Sequence, residues 1–98
     1  MILVVSLWLG DSGLAAFEAF EREARRLISR HGGSVERVFR VTESAGRADA
    51  PFEVQIVRFE RREGLEAYLA DPDVVARAPE RARAIAKTSI LEVEDFDY

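Results

Sequence analysis

The sequence predicts an α+β fold in which one β-α-β unit is followed by a second. Two observations carry that prediction. An opening run, Ile2–Leu9, contains no charged residue. Two later stretches repeat apolar residues every three or four positions, each flanked by shorter segments rich in Val, Ile and Phe. The 98 residues are the size of one domain, so residues 1–98 are expected to form a single unit.

Taken in order, Ile2–Leu9 reads as a strand with two largely apolar alternating sets, Ile2, Val4, Ser6, Trp8 and Leu3, Val5, Leu7, Leu9. A strand apolar on both sides belongs in the middle of a sheet and is covered on both faces. Gly10–Gly13 is a loop in which Asp11 or Ser12 is placed to cap the next helix. That helix presents Leu14, Phe17, Phe20, Ala24, Leu27, Ile28 and His31 on one side and Glu18, Arg22, Arg26 and Arg30 on the other. Gly32-Gly33 ends it, because glycine accepts the left-handed conformation of a helix stop. Ser34–Glu43 is a second strand whose imperfect alternation calls for a bulge near Val38.

Ser44–Pro51 is a turn-rich connection. Phe52–Phe59 is a strand with Phe52, Val54 and Ile56 on one face and Val57 and Phe59 on the other. Arg62–Leu69 forms a short helix, which Asp71-Pro72-Asp73 interrupts with a turn and a helix cap. A second helical stretch carries Val74, Val75, Ala78, Ala82 and Ile85, with Pro79 imposing a kink or restart. Thr88–Asp95 is the last strand, ahead of an acidic tip with Phe96 and Tyr98.

The order βαββαβ packs most simply as a four-stranded antiparallel sheet with both helices on one face, the ferredoxin-like arrangement. Two helices cover one face only, whereas the first strand is apolar on both. An uncovered apolar sheet is the kind of patch monomers avoid. The expected partner is a second copy of the chain, paired through the sheet face.

Composition narrows the function classes. A formal charge of −4 gives no general attraction to nucleic acid or to an anionic membrane, and neither is expected as a partner. The apolar start is too short to span a bilayer, and no Lys or Arg precedes it. Cysteine is absent, which removes disulfides and thiolate chemistry and fits a cytoplasmic location. With one histidine and no cysteine, no metal site and no cofactor are expected.

The helix ending His31-Gly32-Gly33, the strand closing on Phe59, and Asp71-Pro72-Asp73 through Pro79-Glu80-Arg81 together resemble a family of small uncharacterised proteins in the dimeric α/β-barrel superfamily. Asp71 stands where that family usually has Ser, and Val74 where an aromatic residue is common. The resemblance implies the fold and the dimer. The superfamily spans cofactor-independent monooxygenases, haem-degrading enzymes, lactone isomerases and proteins without known activity, so it transfers no mechanism. Its quinone-forming monooxygenases rely on a polar set that includes asparagine, and this chain has none.

Individual residues supply the remaining candidates. His31 is the only imidazole, hence the one candidate for histidine acid–base catalysis, against a simpler role as a helix-end hydrogen-bonding group. Gly10-Asp11-Ser12-Gly13 matches a protease nucleophile motif, but the chain lacks the scaffold of a triad and the loop reading stands. Arg81 matches the family pattern and serves either a dimer salt bridge or an anion clamp. A small-molecule cleft is expected between the first helix and the sheet, lined by Trp8, Phe17, Phe20, His31 and Tyr68. Trp8, His31, Tyr68 and Arg81 are thus the candidate ligand-binding residues. The functional expectation is a homodimer that binds a small apolar or aromatic metabolite. The alternative is a small cofactor-independent enzyme, a monooxygenase, isomerase or cyclase.

Overall fold

The computed structural model describes residues 1–43 and 46–98; Ser44 and Ala45, at the start of the predicted turn-rich connection, lie outside the described residues. The elements run β1 (Ile2–Leu9), α1 (Gly13–Arg30), β2 (Gly33–Arg40), β3 (Glu53–Phe59), α2 (Arg62–Ala70), α3 (Pro72–Val75), α4 (Ala78–Ala84) and β4 (Ile85–Val93). The four strands form one antiparallel sheet in the order β2-β3-β1-β4, with the first strand central as its two apolar sides require.

Strand alternation and register sort the side chains onto two faces. Leu3, Val5 and Leu7 share one face with Val57 and Phe59, and the helices pack there. The predicted apolar stripe of α1 is buried against it at Phe17, Phe20, Ala24, Leu27 and Ile28. The buried residues gather in two clusters, one around Leu7, Phe17, Phe20, Ala24, Ala84 and Ile85, the other around Leu3, Ile28, Val57 and Phe59. Val5 packs against both. On the opposite face lie Ile2, Val4, Ser6 and Trp8 of β1, Val54 and Ile56 of β3, Phe39 of β2, and Leu91 and Val93 of β4. Among the described residues no helix covers that face, and Leu91 is 59% exposed.

Several local readings are corrected. The β2 bulge falls at Glu36, between the paired residues Val35 and Arg37, rather than near Val38. β4 starts at Ile85, not Thr88, and Ile85, expected on the second helical stretch, pairs with Leu9 in the sheet. Phe52 precedes β3 and escapes its alternation, packing edge-on against Phe17 at 5.4 Å on the helix side. Ser12 occupies the start of α1 without a side-chain capping bond. Asp71 does cap α3, accepting from the Asp73 amide at 2.9 Å. Gly32 takes φ +75° and turns the chain from α1 into β2, as a helix-stopping glycine does.

Candidate functional site

Between the helices and the inner sheet face, the two core clusters leave a cavity of about 310 Å³. Its floor is Leu3, Val5, Leu7 and Val57, and its roof includes Ala24 and Ile28 of α1, Leu65 and Leu69 of α2, and Val74 of α3. Five polar side chains interrupt these walls: Glu21, Gln55, Tyr68, Arg81 and Thr88. An apolar chamber with a few fixed polar groups is the usual form of a small-molecule site.

The polar groups are held by one another. On β3, Glu53 and Gln55 share the parity of Val57 and Phe59, so both face the helices, at 3% and 4% exposure. Gln55 Nε2 donates to Glu53 Oε2 at 2.8 Å and to Glu21 Oε2 at 3.0 Å. Glu53 Oε1 accepts from Arg40 Nε at 3.0 Å, which neutralises it. Burial pushes the Glu21 carboxyl above its ordinary range; the Gln55 hydrogen bond counters this in part, and the nearby Glu53 charge adds to it. Burial likewise raises the Tyr68 phenol. Arg81 donates to Thr88 Oγ1 at 2.6 Å. Arg77, at the N-cap of α4, stacks over Phe20 at 4.1 Å and donates to its carbonyl, fixing α4 on α1. The arrangement offers an apolar body a snug space and offers its oxygen atoms a carboxyl, a phenol, a hydroxyl and a guanidinium.

Of the candidate residues read from the sequence, Tyr68 and Arg81 line this cavity, whereas Trp8 and His31 do not. Trp8 is excluded by strand alternation: as an even-numbered residue of β1 it belongs to the open face. There Nε1 donates to the Asp49 carbonyl at 2.9 Å, and the Lys87 ammonium lies 4.6 Å over the ring. Phe17 and Phe20 fill the neighbouring core cluster instead. His31 ends α1, and its Nε2 meets Asp71 Oδ2 at 2.7 Å. Arg30, still exposed, joins the same oxygen at 3.0 Å and Asp73 at 2.7 Å. Bonds from His31, the Asp73 amide and Arg30 hold the Asp71 carboxyl down to about 2. His31 therefore bonds at a helix end, with its ring centre 6.5 Å from that of Tyr68. Glu18 pairs across to Arg40 rather than along its own helix.

Glu21, Gln55 and Glu53 were not singled out from the sequence. The signal was present in Glu53-Val54-Gln55-Ile56-Val57: the strand's polar residues share their parity with Val57 and Phe59, the pair that the core needs. Among the described residues, no group of three or more His, Asp or Glu is placed to hold a metal ion.

No protein-family model matches the sequence, and neither does any curated protein. Solved structures do match. A protein of Arabidopsis thaliana aligns at a TM-score of 0.75 with 13% identity, over 99% of this chain and 96% of that one. The fold is ferredoxin-like. A dimeric ferredoxin-like protein of unknown function from Thermobifida fusca aligns at 0.54 with 12% identity, over 92% and 85% of the two chains. SnoaB, a cofactor-independent oxygenase from Streptomyces nogalater, aligns at 0.59 with 14% identity, over 97% and 91%. The ferredoxin-like fold that the resemblance implied thus stands.

Proposed function

We propose that residues 1–98 act as one domain of a homodimer that binds a small apolar or aromatic molecule in the inner cavity. The observation that carries this reading is the cavity itself, about 310 Å³ between two packed clusters, with apolar walls and a short polar set. Tyr68 and Arg81 are its proposed ligand-binding residues, joined by Glu21. Trp8 contributes to the sheet face, and His31 to the junction of α1 and α3. The partner is a second copy seated on the open sheet face, where Val4 lies between Ile56 and Leu91 and the apolar row has no cover. One structure of the same fold is described as dimeric. No described helix is long and apolar enough to cross a membrane. A cytoplasmic location remains part of the proposal, on the absence of cysteine.

The test is a titration with small aromatic probes followed by NMR. Binding is expected to shift the resonances of Leu3, Val5 and Val57; probes that leave those signals unmoved would remove the ligand reading.

A second reading, a cofactor-independent enzyme, is favoured by one observation. Glu21 is a carboxyl raised by burial, beside a phenol and a guanidinium in the same chamber, which is how an acid–base group is tuned. A structure of the same fold is described as a cofactor-independent oxygenase. Turnover of a bound probe that is lost in Glu21→Gln, with probe binding kept, would establish this reading.

A further inference from the structure

Glu21 differs from the other charged groups around the cavity in what it lacks. Its Oε2 accepts from Gln55, and no other hydrogen bond reaches this carboxyl among the described residues, so Oε1 has no donor. No cation lies within 4 Å of it among the described residues, although Arg81 and Arg77 act on it from farther off and favour its charged form. Arg40 on β2 holds Glu53 on β3, Arg81 on α4 holds Thr88, and Arg77 at the N-cap of α4 holds Glu80 and the Phe20 carbonyl. From α2 the facing group is the Tyr68 phenol. On its own helix Glu18, Arg22 and Arg25 stand on the outer groove, which Glu21 also lines.

Glu21 thus borders two spaces, an outer polar groove and the inner apolar chamber. A molecule entering the chamber displaces the water that solvates this carboxyl and brings no counter-charge. Burial already outweighs the pull of Arg81 and Arg77 on this carboxyl, so its ionised form is costly under those conditions, whereas the neutral acid keeps its Gln55 bond and gains an O–H to donate. Tyr68, Arg81 and Thr88 carry donor hydrogens as well. With Glu21 neutral, Glu21, Tyr68, Arg81 and Thr88 each carry a hydrogen that an acceptor can take, while Gln55 spends its amide hydrogens on Glu21 and Glu53.

We propose that Glu21 engages the ligand as the neutral acid, so that the cavity selects an apolar molecule bearing a carbonyl-type acceptor oxygen and takes up one proton as it binds. The proton comes from solvent and goes to a Glu21 oxygen; no other bond forms or breaks. The inference rests on the ligand-binding reading above and names the ligand class of that site.

Acetophenone and cumene are the probes: nearly equal in shape, neither titrates, and only the first has an acceptor oxygen. Each is titrated into the intact protein, followed by NMR on the cavity residues, at about pH 5 and about pH 8. Acetophenone affinity is expected to fall by up to about tenfold per pH unit above the titration of Glu21, with its preference over cumene shrinking in step. Glu21→Gln, whose amide also donates, is expected to bind acetophenone with the preference retained and no pH slope. His31→Gln is expected to keep the wild-type slope. A flat wild-type profile, or a slope that survives in Glu21→Gln, overturns the inference while leaving the cavity reading intact. Failure of both probes to shift cavity resonances in either protein overturns the cavity reading, and the inference with it.

Discussion

Asp71 shows how much a single side chain can hold. One carboxylate accepts from the imidazole that ends α1, from a guanidinium on the same helix, and from the amide that opens α3. Its folded value of about 2 lies below the ordinary 3.8, so the unfolded chain binds the proton more readily. The stability it contributes is therefore present in full above about pH 4 and is lost as pH falls through about 2. Acid unfolding of Asp71→Asn, followed by circular dichroism, is expected to begin from a lower melting temperature and to lack this component. Gln55 is a second such residue. Replacing it with Leu leaves two carboxyls side by side with no shared donor, an expected loss of about 1–3 kcal/mol in urea unfolding. The cap at Asp71 was legible from Asp-Pro-Asp, because turn chemistry is local. Its bonds to His31 and Arg30 were not, because they join residues about forty positions apart in the chain.

At the scale of elements, the legible parts were those set by periodicity. The apolar stripe of α1 from Phe17 to Ile28 and the two-sided β1 follow from spacing alone and stand where the spacing put them, whereas Leu14, expected on the same stripe, is exposed. Parity failed at element ends. Phe52 sits one residue outside β3, and the alternation that governs Val54 and Ile56 does not reach it. The same slip hid Glu53 and Gln55, which look solvent-facing when Phe52 is counted into the strand. Close approach between elements was also invisible. In α2, a Cβ on Gly64 would lie 2.4 Å from the His31 carbonyl oxygen, so glycine is what lets α2 start against the end of α1. Gly64→Ala is expected to cost about 1–3 kcal/mol, despite alanine's better helix propensity. Thermal unfolding checks the sign: a rise in melting temperature would show that α2 shifts freely.

For the molecule as a whole, one layer of helices on one sheet leaves the other side of the sheet without cover. The proposed dimer makes two measurements diagnostic. Light scattering at micromolar concentration is expected to give twice the 11.0 kDa chain mass. Leu91→Glu, which sets a charge opposite Val4 on the open face, is expected to give the single-chain mass with the fold retained by circular dichroism. A wild-type mass of one chain would remove the dimer. The sequence foreshadowed this face because β1 is hydrophobic on both sides. It did not foreshadow where the cavity lies, since a void depends on how two clusters fail to meet.

Val5 stands at that gap, touching both clusters and lining the chamber between them. Its size is a compromise between rigidity and use. Val5→Leu would extend hydrocarbon into the chamber and raise stability by about 0.5–2 kcal/mol, as cavity-filling substitutions do. The same methylene would occupy the room that a guest molecule needs. A chain selected only for durability would be expected to close this gap, and one that keeps a valine there retains the vacancy at the expense of its own melting point.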